Sequence, residues 1–152
     1  MTAKKDTAAS EGFSAEERAA MKERAAEVRK ASRRGAGSAK KEAEEAGMLA
    51  TIAAMPEPDR GLAERVHAVV TAAAPGLAPK LWYGQPAWAR DGKVVCFLRS
   101  GLADKTRYSV FGFSESASLD EDGGMWPTSW ALTSLTPAGE ATMTELVARA
   151  VR

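Results

Sequence analysis

The side chains that could support covalent catalysis are few, because the chain contains one histidine and one cysteine. His67 lies beside Val66 and three residues before Val70, at the edge of the apolar face of a predicted helix. Cys96 lies on the apolar side of a predicted strand, where a thiol packs as a small, unreactive hydrophobe. His67 has no partnered nucleophile nearby in sequence. We therefore expect a structural histidine and a protein that is not an enzyme.

Carboxylates concentrate in one predicted loop and raise the question of a metal site. Their spacing lacks the Asp-x-Asp-x-Asp-Gly…Glu pattern of a calcium-binding loop. An ordinary solvated loop is the expected role, and weak binding of hydrated iron is the alternative. We predict no cofactor. The alternative iron site would use Glu115, Asp120, Glu121 and Asp122.

Aromatic and cationic side chains fall on two predicted neighbouring strands. Because side chains alternate between the faces of a strand, two such strands in matching register would build an apolar floor with a cationic rim. This surface suits a planar or anionic ligand. The alternative is that loops or the N-terminal helix cover the floor. The floor would consist of Val95, Phe97 and Phe111, and the rim of Lys93, Arg99 and Arg107.

Two further aromatic segments are candidates for ligand contact. They are Trp82-Tyr83-Gly84-Gln85-Pro86 and Met125-Trp126-Pro127. A tight turn with rings packed against it explains the first segment, and a wall that stacks on a ligand would use the same residue types. The predicted ligand contacts from these segments are Trp82, Tyr83 and Trp126.

The N-terminal third has the composition of a solvated helix rather than of a core. Ser14 followed by Glu17 forms a capping box, and good helix formers continue to Arg34. Gly35-Ala36-Gly37-Ser38 is predicted to end this helix and act as a hinge. The predicted organisation is a disordered tail (1–13), a charged helical appendage with its hinge (14–39) and a folded domain (40–152).

Within the folded domain the hydrophobic period changes from helical to extended. A helix that ends at Met55 precedes a second helix, for which Asp59 is the predicted N-cap. Asp91-Gly92 predicts a type I′ hairpin, and a further strand is predicted from about Thr106 to Phe113.

A last helix completes this pattern. Thr136-Pro137 is predicted to begin it, with a capping hydroxyl and a proline in the first turn. The order indicates an α+β fold: two layers, a mostly antiparallel sheet of about five strands with helices packed on one face, and a charged N-terminal helix.

Composition excludes several classes of protein. The chain has 152 residues and one cysteine, so it cannot form an intrachain disulfide. Its formal charge of +1 gives no overall positive charge that would attract nucleic acid or an anionic membrane. The first 45 residues carry 11 basic and 9 acidic side chains, so basic clusters there face compensating glutamates. Without a signal-like apolar start, we expect a cytoplasmic protein with no nucleic-acid partner and no membrane partner.

A set of short segments is spread along the chain: Met55-Pro56-Glu57-Pro58-Asp59-Arg60, His67, Ala74-Pro75, Leu77-Ala78-Pro79-Lys80, Trp82-Tyr83-Gly84-Gln85-Pro86-Ala87, Gly92-Lys93-Val94-Val95-Cys96-Phe97, Arg107-Tyr108, Gly112-Phe113 and Met125-Trp126-Pro127. Together these segments resemble the YdhG-like family, a bacterial domain of unknown function. The resemblance covers about residues 14–150 and implies a two-layer α+β domain without a known catalytic motif; one branch is similar to frataxin-type iron chaperones. The chain departs from the family at Gln85, where relatives often carry methionine.

The expected function is therefore that of a non-enzymatic domain that binds a small molecule or a protein. Two alternatives remain. The first is an iron-binding chaperone that resembles the frataxin-like relatives and uses the acidic loop. The second is an adaptor that docks on a protein partner through the N-terminal helix.

Overall fold

The structure is a computed structural model that describes residues 14–152. Along the chain, two helices precede the five strands of an antiparallel sheet, a short helix separates the third and fourth strands, and a last helix follows the fifth. The elements are α1 (Ala15–Ala54), α2 (Asp59–Ala73), β1 (Ala78–Trp82), β2 (Gln85–Arg90), β3 (Lys93–Arg99), α3 (Gly101–Asp104), β4 (Ser109–Phe113), β5 (Ser129–Leu132) and α4 (Pro137–Ala150).

Helix α1 begins as the sequence predicts but ends later. The Ser14 hydroxyl accepts a hydrogen bond from the Glu17 amide at 3.1 Å, which confirms the predicted cap. The predicted hinge is wrong, because the helix continues through Gly35 and Gly37 to Ala54. Each glycine costs about 1 kcal/mol relative to alanine, and the strong helix formers on both sides offset that cost.

Contacts divide the chain into two units, Met1–Lys40 and Lys41–Arg152. In the first unit every described residue is exposed. The predicted disordered tail (1–13) lies outside the described residues. No helix in the described part of the chain is both long enough and apolar enough to cross a membrane.

The second unit has the predicted α+β architecture. Its five strands follow the order β1-β2-β3-β4-β5, and every neighbouring pair is antiparallel. Side chains from three helices pack with one face of the sheet in a single hydrophobic core. That core includes Met48 and Ile52 of α1, Val66 and Val70 of α2, Met143 and Val147 of α4, and Trp88, Cys96, Leu98, Phe111 and Phe113 of the sheet.

Two-residue turns connect the first three strands. Asp91 and Gly92 both have positive φ angles (53° and 79°), which confirms the predicted type I′ hairpin. Tyr83 and Gly84 form a second turn of this kind, with φ angles of 50° and 75°. Right-handed strand twist favours this turn type, and it places the Tyr83 side chain at the tip of the β1–β2 hairpin.

A β-bulge in β3 changes which of its side chains face the core. Trp88 pairs with Cys96 and Ala89 pairs with Val94, so Val95 is an extra residue between the two pairs. Val95 consequently joins the core at 1% exposure, next to Cys96. The prediction that Val95 shares the outward face with Phe97 is wrong for this reason.

A short helix, α3, lies between β3 and β4, before the predicted strand region. Strand β4 begins at Ser109 rather than at Thr106. Asp59 does not cap α2, since no side-chain cap bond forms there and the residue belongs to the first turn. Its carboxylate instead accepts hydrogen bonds from the Ser100 hydroxyl and, at 3.1 Å, from the Leu102 amide at the start of α3.

Candidate functional site

The sheet has a second face, which points away from the core. One row of paired residues crosses all five strands on this side. Its neighbours along the strands, such as Trp88 and Phe113, belong to the core, so the alternation of side chains places this row on the opposite face. We call this side the outer face. The row consists of Lys80, Ala87, Phe97, Gly112 and Ser129.

At this face the ring of Trp82 contacts two other aromatic rings. The Trp82 ring centroid lies 5.1 Å from that of Phe97 and 5.0 Å from that of Tyr83. In the described part of the chain, none of the three belongs to the core or packs against it. Trp82 and Phe97 are half-buried, whereas Tyr83 is 79% exposed. We call Trp82, Tyr83 and Phe97 the aromatic cluster.

Gly112 provides the space for the Phe97 ring. These residues are directly paired across β3 and β4. A Cβ atom at position 112 would lie 2.6 Å from Cζ of Phe97, which is closer than van der Waals contact permits. The glycine therefore lets the ring lie against the backbone of β4, with Trp82 on its other side.

Like Arg99, which lies two residues from Phe97 on β3, Lys80 is a cation on the outer face close to this cluster. It pairs with Ala87, which in turn pairs with Phe97, and it is two residues from Trp82 on the same face of β1. Arg99 is instead engaged by Asp104, to which it donates hydrogen bonds of 2.8 and 3.1 Å. The Arg99 guanidinium accordingly lowers the pKa of the Asp104 carboxyl, with a smaller contribution from Gln85 in the same direction.

Lys93 lies away from the aromatic cluster, contrary to the predicted cationic rim. It pairs with Arg90 at the end of the β2–β3 hairpin. Directly paired residues share a face, and Arg90 points to the helical side, where it donates to the Val151 carbonyl at 2.6 Å. The bulge at Val95 therefore separates Lys93 from Phe97.

Phe111 and Arg107 are likewise separated from Phe97. Phe111 is 1% exposed and pairs with Leu98 on the core side, where its ring meets Phe113 edge-on at 5.2 Å. Arg107 precedes β4 and places its guanidinium 5.1 Å from the centroid of the Tyr108 ring. The predicted floor that combines Phe97 and Phe111 is wrong, because the true register puts the two rings on opposite faces.

Trp126 belongs to a different site, a cleft of about 400 Å³ near the end of β4. Two of the predicted acidic residues, Glu115 and Asp120, line the same cleft together with Phe113 and Leu119. Glu121 and Asp122 are exposed and do not line it. Among residues 14–152, no three histidine, cysteine or acidic side chains form a group that could hold a metal ion.

His67 and Cys96 have structural surroundings, as predicted. The Trp88 indole N–H donates to Nδ1 of His67 at 3.2 Å. Since the indole is only a donor, this bond requires a deprotonated Nδ1. Burial lowers the pKa of His67, and Glu45 acts in the opposite direction. Burial raises the pKa of the Cys96 thiol to about 12, so this thiol stays protonated at neutral pH.

Sequence reasoning missed a polar network beside the cluster. The Gln85 side chain accepts from the Ser100 amide and donates to Asp104 at 2.9 Å, which ties β2 to α3. Gln85 lies 15 positions before Ser100 and 19 positions before Asp104 in the chain, so no periodic pattern in the sequence reveals these hydrogen bonds. The one available signal was the glutamine at position 85, where the resemblance to the YdhG-like family implies methionine.

Comparison of the chain with models of known families, with curated proteins and with solved structures gives no match. The resemblance to the YdhG-like family stays a sequence-based expectation.

Proposed function

We propose that this protein is a cytoplasmic, non-enzymatic binding domain that takes a small, planar, anionic molecule on the outer face of its sheet. The observation that carries the proposal is the aromatic cluster: the Trp82 ring contacts those of Tyr83 and Phe97, and none of the three is part of the core. Apolar side chains that add nothing to the core are expected where a surface recognises another molecule.

Stacking accounts for the planar part of the ligand. An aromatic pair contributes about 0.5–1.5 kcal/mol beyond the area it buries. The rings of Trp82 and Phe97 pack against each other, and the Phe97 ring also lies against the backbone at Gly112. Both rings therefore lose little conformational freedom when a ligand binds. Tyr83 supplies a third ring that is mostly exposed and available for contact.

Lys80 accounts for the preference for an anion. It lies on the same face as Trp82, and its ammonium group can donate charge-assisted hydrogen bonds to a carboxylate, sulfonate or phosphate. Arg99 contributes less, because Asp104 already neutralises it.

The backbone at Tyr83 supports a functional role for that side chain. A φ angle of 50° is favourable for glycine and asparagine, whereas other L-residues pay about 1–2 kcal/mol for the left-handed conformation. An exposed tyrosine at this position therefore lowers the free energy of unfolding of the protein. Contact with a ligand would explain why a tyrosine occupies the turn.

The test is isothermal titration of the full chain with two probes, naphthalene-2-sulfonate and its uncharged counterpart 2-naphthol. We expect the sulfonate to bind more tightly. Tyr83→Leu should weaken both probes by up to about tenfold, the equivalent of one aromatic contact. Lys80→Gln should weaken the sulfonate alone.

Two matched variants serve as controls. Tyr108→Leu removes the other tyrosine, and Lys93→Gln removes a lysine that the register places away from Phe97. Both should bind the probes as the unmodified protein does. The proposal is wrong if neither probe binds at millimolar concentration, or if the control variants lose as much affinity as the variants of the outer face.

A further inference from the structure

Helix α1 carries a concentration of basic side chains that the nearly balanced charge of the first 45 residues does not reveal. Between residues 18 and 40 the chain has eight basic and two acidic side chains. The near balance over the first 45 residues arises because acidic residues lie on either side of this stretch. With no hinge at Gly35, all eight cations belong to one continuous helix in the first unit.

Five of these cations lie along one side of the helix. Their successive spacings are four, seven, four and seven residues. At about 100° per residue, such spacings confine all five to an arc of about 60°, and at about 1.5 Å per residue they extend over about 33 Å. We call this row the basic stripe; it consists of Arg18, Lys22, Arg29, Arg33 and Lys40.

The stripe is exposed and largely uncompensated. Every residue from 15 to 43 is exposed to solvent. In the described part of the chain, Lys22, Arg33 and Lys40 form no ion pair, and Arg29 donates only to the Ala25 carbonyl at 3.3 Å. The glutamates of this stretch, Glu23 and Glu27, lie about 110° and 150° around the helix from the centre of the stripe.

From this arrangement we infer that α1 binds duplex DNA through the basic stripe, by contacts to phosphates that do not depend on sequence. A row of cations about 33 Å long matches about one turn of B-DNA, over which the duplex presents one phosphate charge about every 1.7 Å of its axis. This inference differs from the sequence-based expectation of no nucleic-acid partner, which rested on the charge balance of the first 45 residues.

An anionic membrane fits the same helix less well. Helices that lie in a membrane interface bury a face of large apolar side chains. Between residues 18 and 40 the only such side chains are Met21 and Val28, and the remaining non-charged residues are alanine, glycine and serine. The stripe therefore favours a polyanion that binds by charge alone.

The test measures the affinity of the full chain for a fluorescein-labelled DNA duplex by anisotropy at two salt concentrations, 50 and 200 mM. Five phosphate contacts give a slope of log K against log [salt] of about −4.5, so affinity should fall roughly 500-fold between these concentrations. The stripe variant carries Lys22→Gln, Arg29→Gln, Arg33→Gln and Lys40→Gln. With one contact left, its affinity is weaker at both concentrations and falls only about fourfold.

A matched variant removes the same charge from other sides of the same helix: Arg24→Gln, Lys30→Gln, Arg34→Gln and Lys41→Gln. It should retain a slope near that of the unmodified protein. The inference is overturned if both variants lose the same slope, if no DNA binding occurs at 50 mM salt, or if vesicles of phosphatidylserine and phosphatidylcholine bind more tightly than the duplex. Far-UV circular dichroism checks that both variants keep their helix, which glutamine supports well.

Discussion

The two faces of the sheet carry similar aromatic side chains in different circumstances. On the core side, Phe111 is almost fully buried and its ring meets Phe113. On the outer face, Phe97 is half-buried and its ring contacts that of Trp82, which is also half-buried. Phe111 is therefore expected to stabilise the fold more than Phe97, for which we propose a role in recognition. Residue type alone does not distinguish these two phenylalanines. The pairing register of the strands does, because it places their rings on opposite faces of the sheet.

The largest expected effect compares these two phenylalanines by truncation. Phe111→Ala should lower the free energy of unfolding by about 3–5 kcal/mol, because it leaves a cavity in a packed core. Phe97→Ala should lower it by about 1 kcal/mol, because the ring is only half-buried. Urea denaturation of both variants measures the difference. Equal losses would show that the outer face is packed as tightly as the core.

The next effect concerns the contact between Phe97 and Gly112. Gly112→Ala should destabilise the protein by about 1–3 kcal/mol, because the added methyl group displaces a ring that Trp82 holds from the other side. In a Phe97→Ala background the same substitution should be nearly neutral. Urea denaturation of the single and double variants gives the coupling energy. A cost for Gly112→Ala that is the same in both backgrounds would mean that the ring does not lie on position 112.

A smaller effect of opposite sign is expected at the hairpin tip. Tyr83→Asn should raise the free energy of unfolding by about 0.5–1 kcal/mol, because Asn-Gly is the preferred pair for a type I′ turn. The same variant should bind naphthalene-2-sulfonate less tightly. A thermal melt and a titration measure the two quantities. A variant that is less stable than the unmodified protein would contradict the turn geometry.

The smallest effect lies on the core side, at His67. The pKa of this residue is lowered from its ordinary value of 6.5, so the unfolded chain binds the proton more readily than the folded one. Stability should therefore decrease as pH falls below 6.5, until the folded-state pKa is passed. His67→Gln keeps an acceptor for the Trp88 indole and should remove this dependence. Urea denaturation at several pH values measures it, and an equally steep dependence in the variant would contradict the assignment.

Local signals predicted much of the fold. The Asp91-Gly92 turn formed as expected, and the Thr136 hydroxyl accepts from the Gly139 amide at 3.1 Å, as its predicted cap requires. These features depend on a few adjacent residues. The end of α1 was misplaced because glycine weakens a helix without being able to end it among strong helix formers.

The site was less predictable, because it depends on pairing between strands. One extra residue at Val95 moved Lys93 away from Phe97, and the register placed Phe111 opposite Leu98 on the core face. A bulge leaves no distinctive pattern in a strand composed mostly of apolar residues. Phe97 was identified because the alternation of side chains put it on the outward face of its strand, and Trp82 and Tyr83 because they precede a predicted tight turn.

The central claim is that the aromatic cluster on the outer face recognises a planar anion. Intermolecular nuclear Overhauser effects between naphthalene-2-sulfonate and the full chain test it most directly. The account predicts contacts from naphthalene protons to the rings of Trp82, Tyr83 and Phe97. Contacts to Trp126 and Phe113 instead would place binding in the cleft at the end of β4 and contradict the claim.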